Sequence, residues 1–204
     1  MDEDLCQGDG KIAALILAAG MSQRMGQPKM VLPWGEETII EHVASQVLGA
    51  GLKDVTIVVG GSREKVEAAL RGKPVRFVFN PAYMDGEMLH SLQAGLRALP
   101  EGCQAALVVL GDMPRIKMDV IREVLLEYQR TKAALVIPSY RMRRGHPWLI
   151  DRELWPELLA LAPPLTVRDF IDRNRLRVRY VTVEDETVLA DMDTPEDYHR
   201  QRPG

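Results

Sequence analysis

The chain runs to 204 residues, 46% hydrophobic and 27% charged, with a formal net charge of −3. That length carries a full hydrophobic core in one domain, the balanced composition excludes disordered and fibrous chains, and the mild acidity excludes a general nucleic-acid binder, which needs a basic face. Cys6 and Cys103 stand far apart in no C-x-x-C pattern, which speaks against a zinc site or disulfide framework and fits reduced thiols in the cytoplasm.

Residues 1–10, MDEDLCQGDG, are acidic and polar where a secretory signal is basic and then apolar, and no apolar run approaches the ~18 residues of a membrane span. They read as a flexible leader to a single domain over residues 11–204. Short runs rich in β-branched or aliphatic residues at 13–17, 55–59, 75–79, 106–110 and 134–137 predict strands covered on both faces. Between them helical spacing recurs, in Ile40, Val43 and Val47, then Val66, Ala69 and Leu70, then Leu89, Leu92 and Leu96, then Ile121, Val124 and Tyr128. Strand followed by helix four times over predicts an α/β, Rossmann-like fold: a mostly parallel central sheet with helices on both faces.

The last third changes character. Residues 146–150 read as another strand, and 153–161 and 166–171 as short helices. Over 176–183, Leu176, Val178 and Tyr180 share one face and Arg175, Arg177 and Arg179 the other, the pattern of a half-exposed strand near a sheet edge with its arginines in solvent.

In an open parallel sheet, ligands sit at the carboxyl ends of the strands, and the first strand-to-helix loop is the usual phosphate site. Here that loop reads AAGMSQRMGQPK, residues 18–29. It contains neither G-x-x-x-x-G-K-[ST] nor G-x-G-x-x-G, which disfavours a P-loop ATPase and a nicotinamide dehydrogenase. It still meets the needs of a polyphosphate cradle. Ala18, Ala19 and Gly20 let backbone N–H groups approach oxygens, Ser22 adds a hydroxyl, Arg24 a planar fork and Lys29 a point charge. The plain alternative is a surface loop whose Arg and Lys are solvated. In LVVLGDMP, Asp112 follows a buried strand and faces the same rim, as a metal ligand or as a turn former. RMRRGHP concentrates Arg141, Arg143 and Arg144 before Gly145 and His146, a solvated run or a receiver for an anionic second substrate, with Trp34, Trp148 and Trp155 as candidate neighbours.

The string A-A-G-x-S-x-R-M-G-x-P-K after a buried first strand closely resembles the signature of the MobA/MocA-like nucleotidyltransferases, which include the enzymes of molybdenum-cofactor maturation. The resemblance continues in order through NPAYMDGEMLHSL, GDMP, GHP and DMDTPED. It implies a Mg²⁺-dependent enzyme that transfers CMP from CTP to the phosphate of molybdopterin and releases pyrophosphate. Leu17, Ala18, Ala19, Gly20, Ser22, Arg24, Lys29, Asn80, Gly86, Ser91 and Asp112 would bind the nucleotide, with Arg24, Lys29 and Asp112 catalytic. Metal would fall to Asp112 and Asp193, with Asp191 as the alternative, although DTPED is also a good helix start. The acceptor would meet Arg143, Arg144, Gly145 and His146. Two alanines in the first loop are similar to the cytidylyltransferase branch, whereas the guanylyltransferase branch usually has Gly where Ala19 stands. Glu87, intervening before Met88, departs from the pattern. Also open are GTP as donor, a sugar phosphate as acceptor, transient contact with a molybdoenzyme or its chaperone, and a non-catalytic cofactor carrier.

Overall fold

Every residue from Ile12 to Ala18 is buried, so the first apolar run has no polar face to offer solvent and takes the middle of a sheet. The computed structural model describes residues 11–85 and 87–203, and the predicted leader, Cys6 and Gly86 lie outside them. In chain order the elements are β1 (Lys11–Ala18), a hairpin of β2 (Pro33–Trp34) and β3 (Glu37–Thr38), α1 (Ile39–Gly49), β4 (Val55–Val59), α2 (Arg63–Ala69), β5 (Arg76–Phe79), α3 (Met88–Ala98) and β6 (Cys103–Leu110). There follow α4 (Met118–Thr131), β7 (Leu135–Tyr140), β8 (Arg143–Arg144), β9 (Trp148–Asp151), α5 (Trp155–Ala160), α6 (Val167–Arg173), β10 (Val178–Thr182) and α7 (Pro195–Gln201).

The sheet order is β10-β7-β9-β6-β1-β4-β5, with β8 added to β7. β5, β4, β1 and β6 run parallel, as do β7 and β10. β9 runs antiparallel to both of its neighbours and joins the two parallel groups. Period-2 alternation sorts β1 between two cores. Ala14, Ile16 and Ala18 meet Val43, Val66 and Val124 from α1, α2 and α4 on one face. Ala13, Leu15 and Leu17 meet Leu92, Leu158 and Phe170 from α3, α5 and α6 on the other. The mostly parallel sheet with helices on both faces is therefore as predicted.

The predicted strand over 176–183 is shorter than its alternation implied. Arg175–Arg177 form a 3-10 turn, Leu176 is 93% exposed, and the strand begins at Val178. Within β10 Val178 and Val181 reach a core, one on each face, and Val183 just beyond it is buried on the same side as Val181. The arginines are not simply solvated: Arg179 pairs with Glu127 of α4 at 2.7 Å and Arg177 pairs with Glu153. No helix among the described residues is long and apolar enough to cross a membrane.

Candidate active site at the carboxyl ends of β1 and β6

Adjacent parallel pairing in the register Leu17↔Leu110 ends β1 and β6 at one level. The Gly111 amide donates to the Leu17 carbonyl at 3.0 Å, and a Cβ at Gly111 would lie 3.0 Å from that same oxygen. Glycine at this step lets Asp112 emerge directly beside the first loop. The loop is fixed from within. Ser22 adopts a left-handed conformation (φ 53°), and its Oγ accepts from the Lys29 backbone N–H at 3.1 Å. Met25 is buried with Leu32, Trp34, Ile39 and Met192, which pins the loop to the chain's last turns. Ser22 thus closes the loop.

Lys29, read from sequence as a loop charge, is only 7% exposed. Its Nζ donates to Asp112 Oδ2 at 2.5 Å, to the Met192 carbonyl at 2.9 Å and to Asp193 Oδ1 at 3.0 Å, which uses all three ammonium protons. Burial works against the charge, but the Asp112 and Asp193 carboxylates outweigh it and raise the pKa above its ordinary value. Arg24, exposed, reaches the second oxygen of Asp193 at 2.6 Å.

Asp193 is free for this work because its neighbour does the capping. Thr194 is the N-cap of α7 in a reciprocal capping box with Asp197, and Pro195 opens the helix. Burial opposes ionisation of Asp193, yet the hydrogen bond and charge of Lys29, with Arg24 behind it, hold its carboxyl below the usual value. Asp191 shows the reverse: burial and then the charges of Asp193 and Asp112 push its carboxyl up. Among the described residues no three His, Cys, Asp or Glu side chains gather as a metal cluster. The donors that converge are Asp112 and Asp193, two carboxylates from different elements aimed at one cation, with the Lys29 ammonium standing in for it. One or two carboxylates, completed by phosphate oxygens and water, is what Mg²⁺ takes.

A cavity of about 360 Å³ opens over this cluster, lined among others by Leu17, Ala19, Gly20, Lys29, Ser91, Asp112 and Asp193. Ala18 points instead into the core, and Ser22, Arg24 and Asn80 stand off the cavity wall. Asn80 is buried and donates to Ser91 Oγ at 3.0 Å while accepting from the Ala82 N–H at 3.0 Å, so it orients Ser91 and the turn after β5.

A second cavity, about 660 Å³, is lined by residues that include Arg143, Arg144, His146, Trp148, Arg168 and Asp191. Gly145 lies behind its wall, where a Cβ would fall 2.6 Å from Val188. Arg144 is held by Asp172 at 2.5 Å and by the Tyr180 hydroxyl at 2.9 Å. Arg141 turns away over the Tyr140 ring. Of the three tryptophans only Trp148 lines this cavity: Trp34 packs beneath the first loop and Trp155 lies in the core under Arg152. Sequence reading missed Arg168, which resembles any exposed helix arginine until α6 is placed, and gave no role to Glu87, which lines both cavities.

His146 stacks on Trp148 with ring centroids 4.1 Å apart, and burial pushes its pKa down to about 3, so it is a neutral ring and not a cation. An unfolded histidine takes its proton near 6.5, so the unfolded state gains charge first and stability falls as pH drops below that value. Urea denaturation at neutral pH and at about pH 5 is expected to show this loss in the parent and not in His146→Gln.

Fold and site together define an enzyme of the nucleotidyl-transferring α/β class. Residues 14–178 match the MobA-like NTP transferase domain, and the chain belongs to that family. It is 28% identical to the molybdenum cofactor cytidylyltransferase of Escherichia coli K12 over 92% of this chain and 93% of the relative. It is 30% identical to the nicotine blue oxidoreductase of Paenarthrobacter nicotinovorans over 93% and 95% of the two chains. Among solved structures, Rv0371c of Mycobacterium tuberculosis H37Rv superposes with a TM-score of 0.82 at 25% identity, covering 95% of this chain and 98% of that one. A manganese complex of the same mycobacterial protein gives 0.76 at 26% identity, with the same coverage. A nucleotidyl transferase from Methanothermobacter gives 0.80 at 25% identity, covering 94% and 95%.

Proposed function

We propose that the protein is a Mg²⁺-dependent cytidylyltransferase of the cytoplasm that transfers CMP from CTP to the phosphate of molybdopterin bearing molybdenum. The observation that carries this reading is the convergence of Lys29, Asp112 and Asp193 beneath the nucleotide cavity. A phosphate oxygen of the acceptor attacks the α-phosphorus, a new P–O bond forms, and the bond to pyrophosphate breaks. Such a transfer needs positioning and neutralisation of developing charge more than covalent help. Lys29 exchanges a carboxylate for a phosphate oxygen as nucleotide enters, Arg24 moves from Asp193 to the same oxygens, and the backbone N–H groups of the first loop cradle them. A divalent ion held by Asp112 and Asp193 supplies further neutralisation of the phosphates when bound. The E. coli relative supports the acceptor and the donor, and the manganese complex of the mycobacterial protein supports the divalent ion.

The oxidoreductase relative raises a second reading, in which the same cavity takes a redox nucleotide. A lysine bonded to two carboxylates favours phosphate transfer, since hydride transfer has no use for that set. Pyrophosphate release measured with each of the four NTPs, with and without molybdenum cofactor, decides between them. Release with CTP and cofactor is expected. No release with any NTP, together with turnover of a reduced nicotinamide, overturns the transferase reading.

Donor choice rests on Ala19, which lines the nucleotide cavity and is 4% exposed. Its backbone has no room to retreat, because a Cβ on Gly60 would already lie 2.4 Å from the Ala19 carbonyl. Its methyl therefore narrows the cavity in a way a pyrimidine tolerates better than a purine. Ala19→Gly is expected to raise GTP use more than it lowers CTP use, by no more than ~1–3 kcal/mol in discrimination. Side-by-side kcat/KM values check this, and a parent that already prefers GTP removes the cytidylyltransferase assignment.

A further inference from the structure

Asp112 and Asp193 reach the same ammonium by different routes. Asp112 leaves the end of β6, which pairs with β1 from Cys103 to Leu110. Asp193 lies on a segment that belongs to no strand, and α7 after it buries none of its residues. What holds Asp193 in place is a third, small core, apart from the two that cover the central sheet. Its buried members are Met25 of the first loop, Leu32 and Trp34 at the β2–β3 hairpin, Ile39 at the start of α1, and Met192, which is fully buried. Tyr198 of α7 packs on the same cluster, and its hydroxyl donates to the Pro33 carbonyl at 2.8 Å. Met192 acts on both sides of the site at once. Its side chain sits in this core, its carbonyl accepts from Lys29 Nζ at 2.9 Å, and the next residue is Asp193. Met25 follows Arg24, which holds the other oxygen of Asp193. Both methionines stand inside strings that carry the family resemblance, RMG and DMDTPED, where Arg24 and the aspartates have roles and neither methionine has one.

Resting on the transferase reading above, we propose that this satellite core couples the first loop to the metal-side carboxylate, with Met192 as the positioning residue that joins them. Burial of Met192 sets the Asp193 carboxylate beside Asp112 and its own carbonyl against Lys29 in one step, and Met25 ties the loop to the same packing. Neither methionine lines the nucleotide cavity. Loss of this packing loosens the first loop and residues 190–201 and leaves the two main cores intact, because neither contains Met25 or Met192. Close-packed interiors pass on even a one-methylene change, and a displacement of about 1 Å at a reacting centre costs as much as 10²-fold.

The test measures Mn²⁺ binding to the full chain with α,β-methylene-CTP present, together with amide hydrogen exchange of the protein alone. Met192→Ala is expected to weaken Mn²⁺ binding by about tenfold or more and to speed exchange in residues 190–201, while 13–17 and 106–109 stay protected. Met192→Leu, close in volume, should restore most of the Mn²⁺ affinity. Tyr198→Phe, which loses only the Pro33 contact, should act in the same direction by a few-fold. Met25→Ala should weaken Mn²⁺ binding as well, although it lies in a different segment, and the double variant should fall short of the product of the two single effects. Unchanged Mn²⁺ affinity in Met192→Ala, single effects that multiply in the double variant, or faster exchange spread evenly over the central sheet overturns the proposal. Should Met192→Ala not fold, Tyr198→Phe and Met25→Ala carry the same test, and parent-like Mn²⁺ affinity in both overturns it. A parent that binds no Mn²⁺, with or without nucleotide, overturns the divalent-ion reading instead, and exchange of residues 190–201 in Met25→Ala then decides whether the core couples the two segments.

Discussion

Asp112→Asn is expected to lower kcat by about 10²-fold or more while the protein folds as before. The amide is nearly isosteric with the carboxylate, and its Oδ1 can still accept from the Lys29 ammonium that now sits 2.5 Å from Asp112. What disappears is a full negative charge at the carboxyl end of β6, and with it one of two carboxylates able to hold a divalent ion. Stability should change by about 1 kcal/mol or less, the range of a single exchanged hydrogen bond. Asp193→Asn should behave alike in kcat, with an added loss of the Arg24 contact at 2.6 Å. The double variant should be little worse than either single one, because groups that act as a unit are not additive. Steady-state pyrophosphate release checks the rates, and thermal unfolding checks the fold. Mg²⁺-dependent turnover at the parent's rate in Asp112→Asn would remove this residue from the site.

How much of this was legible before the structure differs from element to element, for physical reasons. Runs such as 13–17 and 106–110 contain no polar residue, and a strand of that kind is stable only when covered on both faces. The central sheet and the position of the first loop therefore followed from the order of apolar runs along the sequence. The direction of β9 did not, since apolar pattern is the same in either direction and only pairing fixes it. DTPED was ambiguous between capping and metal binding because both need a small oxygen-bearing side chain at a helix entrance. The structure divides the two tasks between adjacent residues, Thr194 for the cap and Asp193 for the cluster. Lys29 shows the limit most clearly. A lysine in a glycine-containing loop reads as exposed, and its burial depends on Met192 and Asp193, more than 160 residues away in sequence. Arg168 was hidden likewise, since an arginine on a short surface helix acquires meaning only when the fold brings it to the same cavity as Arg143.

The burial of Lys29 reverses what an exposed loop charge would do on substitution, and Lys29→Met is the variant that shows it. In the parent the ammonium satisfies Asp112, Asp193 and the Met192 carbonyl at once. Removing it leaves two carboxylates, with side chains 18% and 32% exposed, of which Asp193 keeps Arg24 and Asp112 keeps no ion-pair partner among the described residues. Breaking a fully buried pair costs 3–5 kcal/mol, and partial exposure of the acids reduces that to about 2 kcal/mol. For a chain of this size that is roughly 4–8 °C in unfolding temperature. The pH dependence follows from the displaced pKa values. The lowered carboxyl of Asp193 contributes stability present above its unfolded value and lost as pH falls through the folded one. The raised ammonium of Lys29 contributes stability present below its unfolded value and lost as pH rises through the folded one. Between those limits the gap between parent and variant should be flat. Millimolar Mg²⁺ without nucleotide should then raise the unfolding temperature of Lys29→Met more than that of the parent, because in the parent the ion competes with the ammonium for the same two carboxylates. Nucleotide affinity should fall in the variant as well, since Lys29 is the cation among the residues lining the cavity proposed for the nucleotide. An unfolding temperature equal to the parent's, with no added response to Mg²⁺, would mean that Lys29 neither holds the two acids together nor occupies the place of a metal.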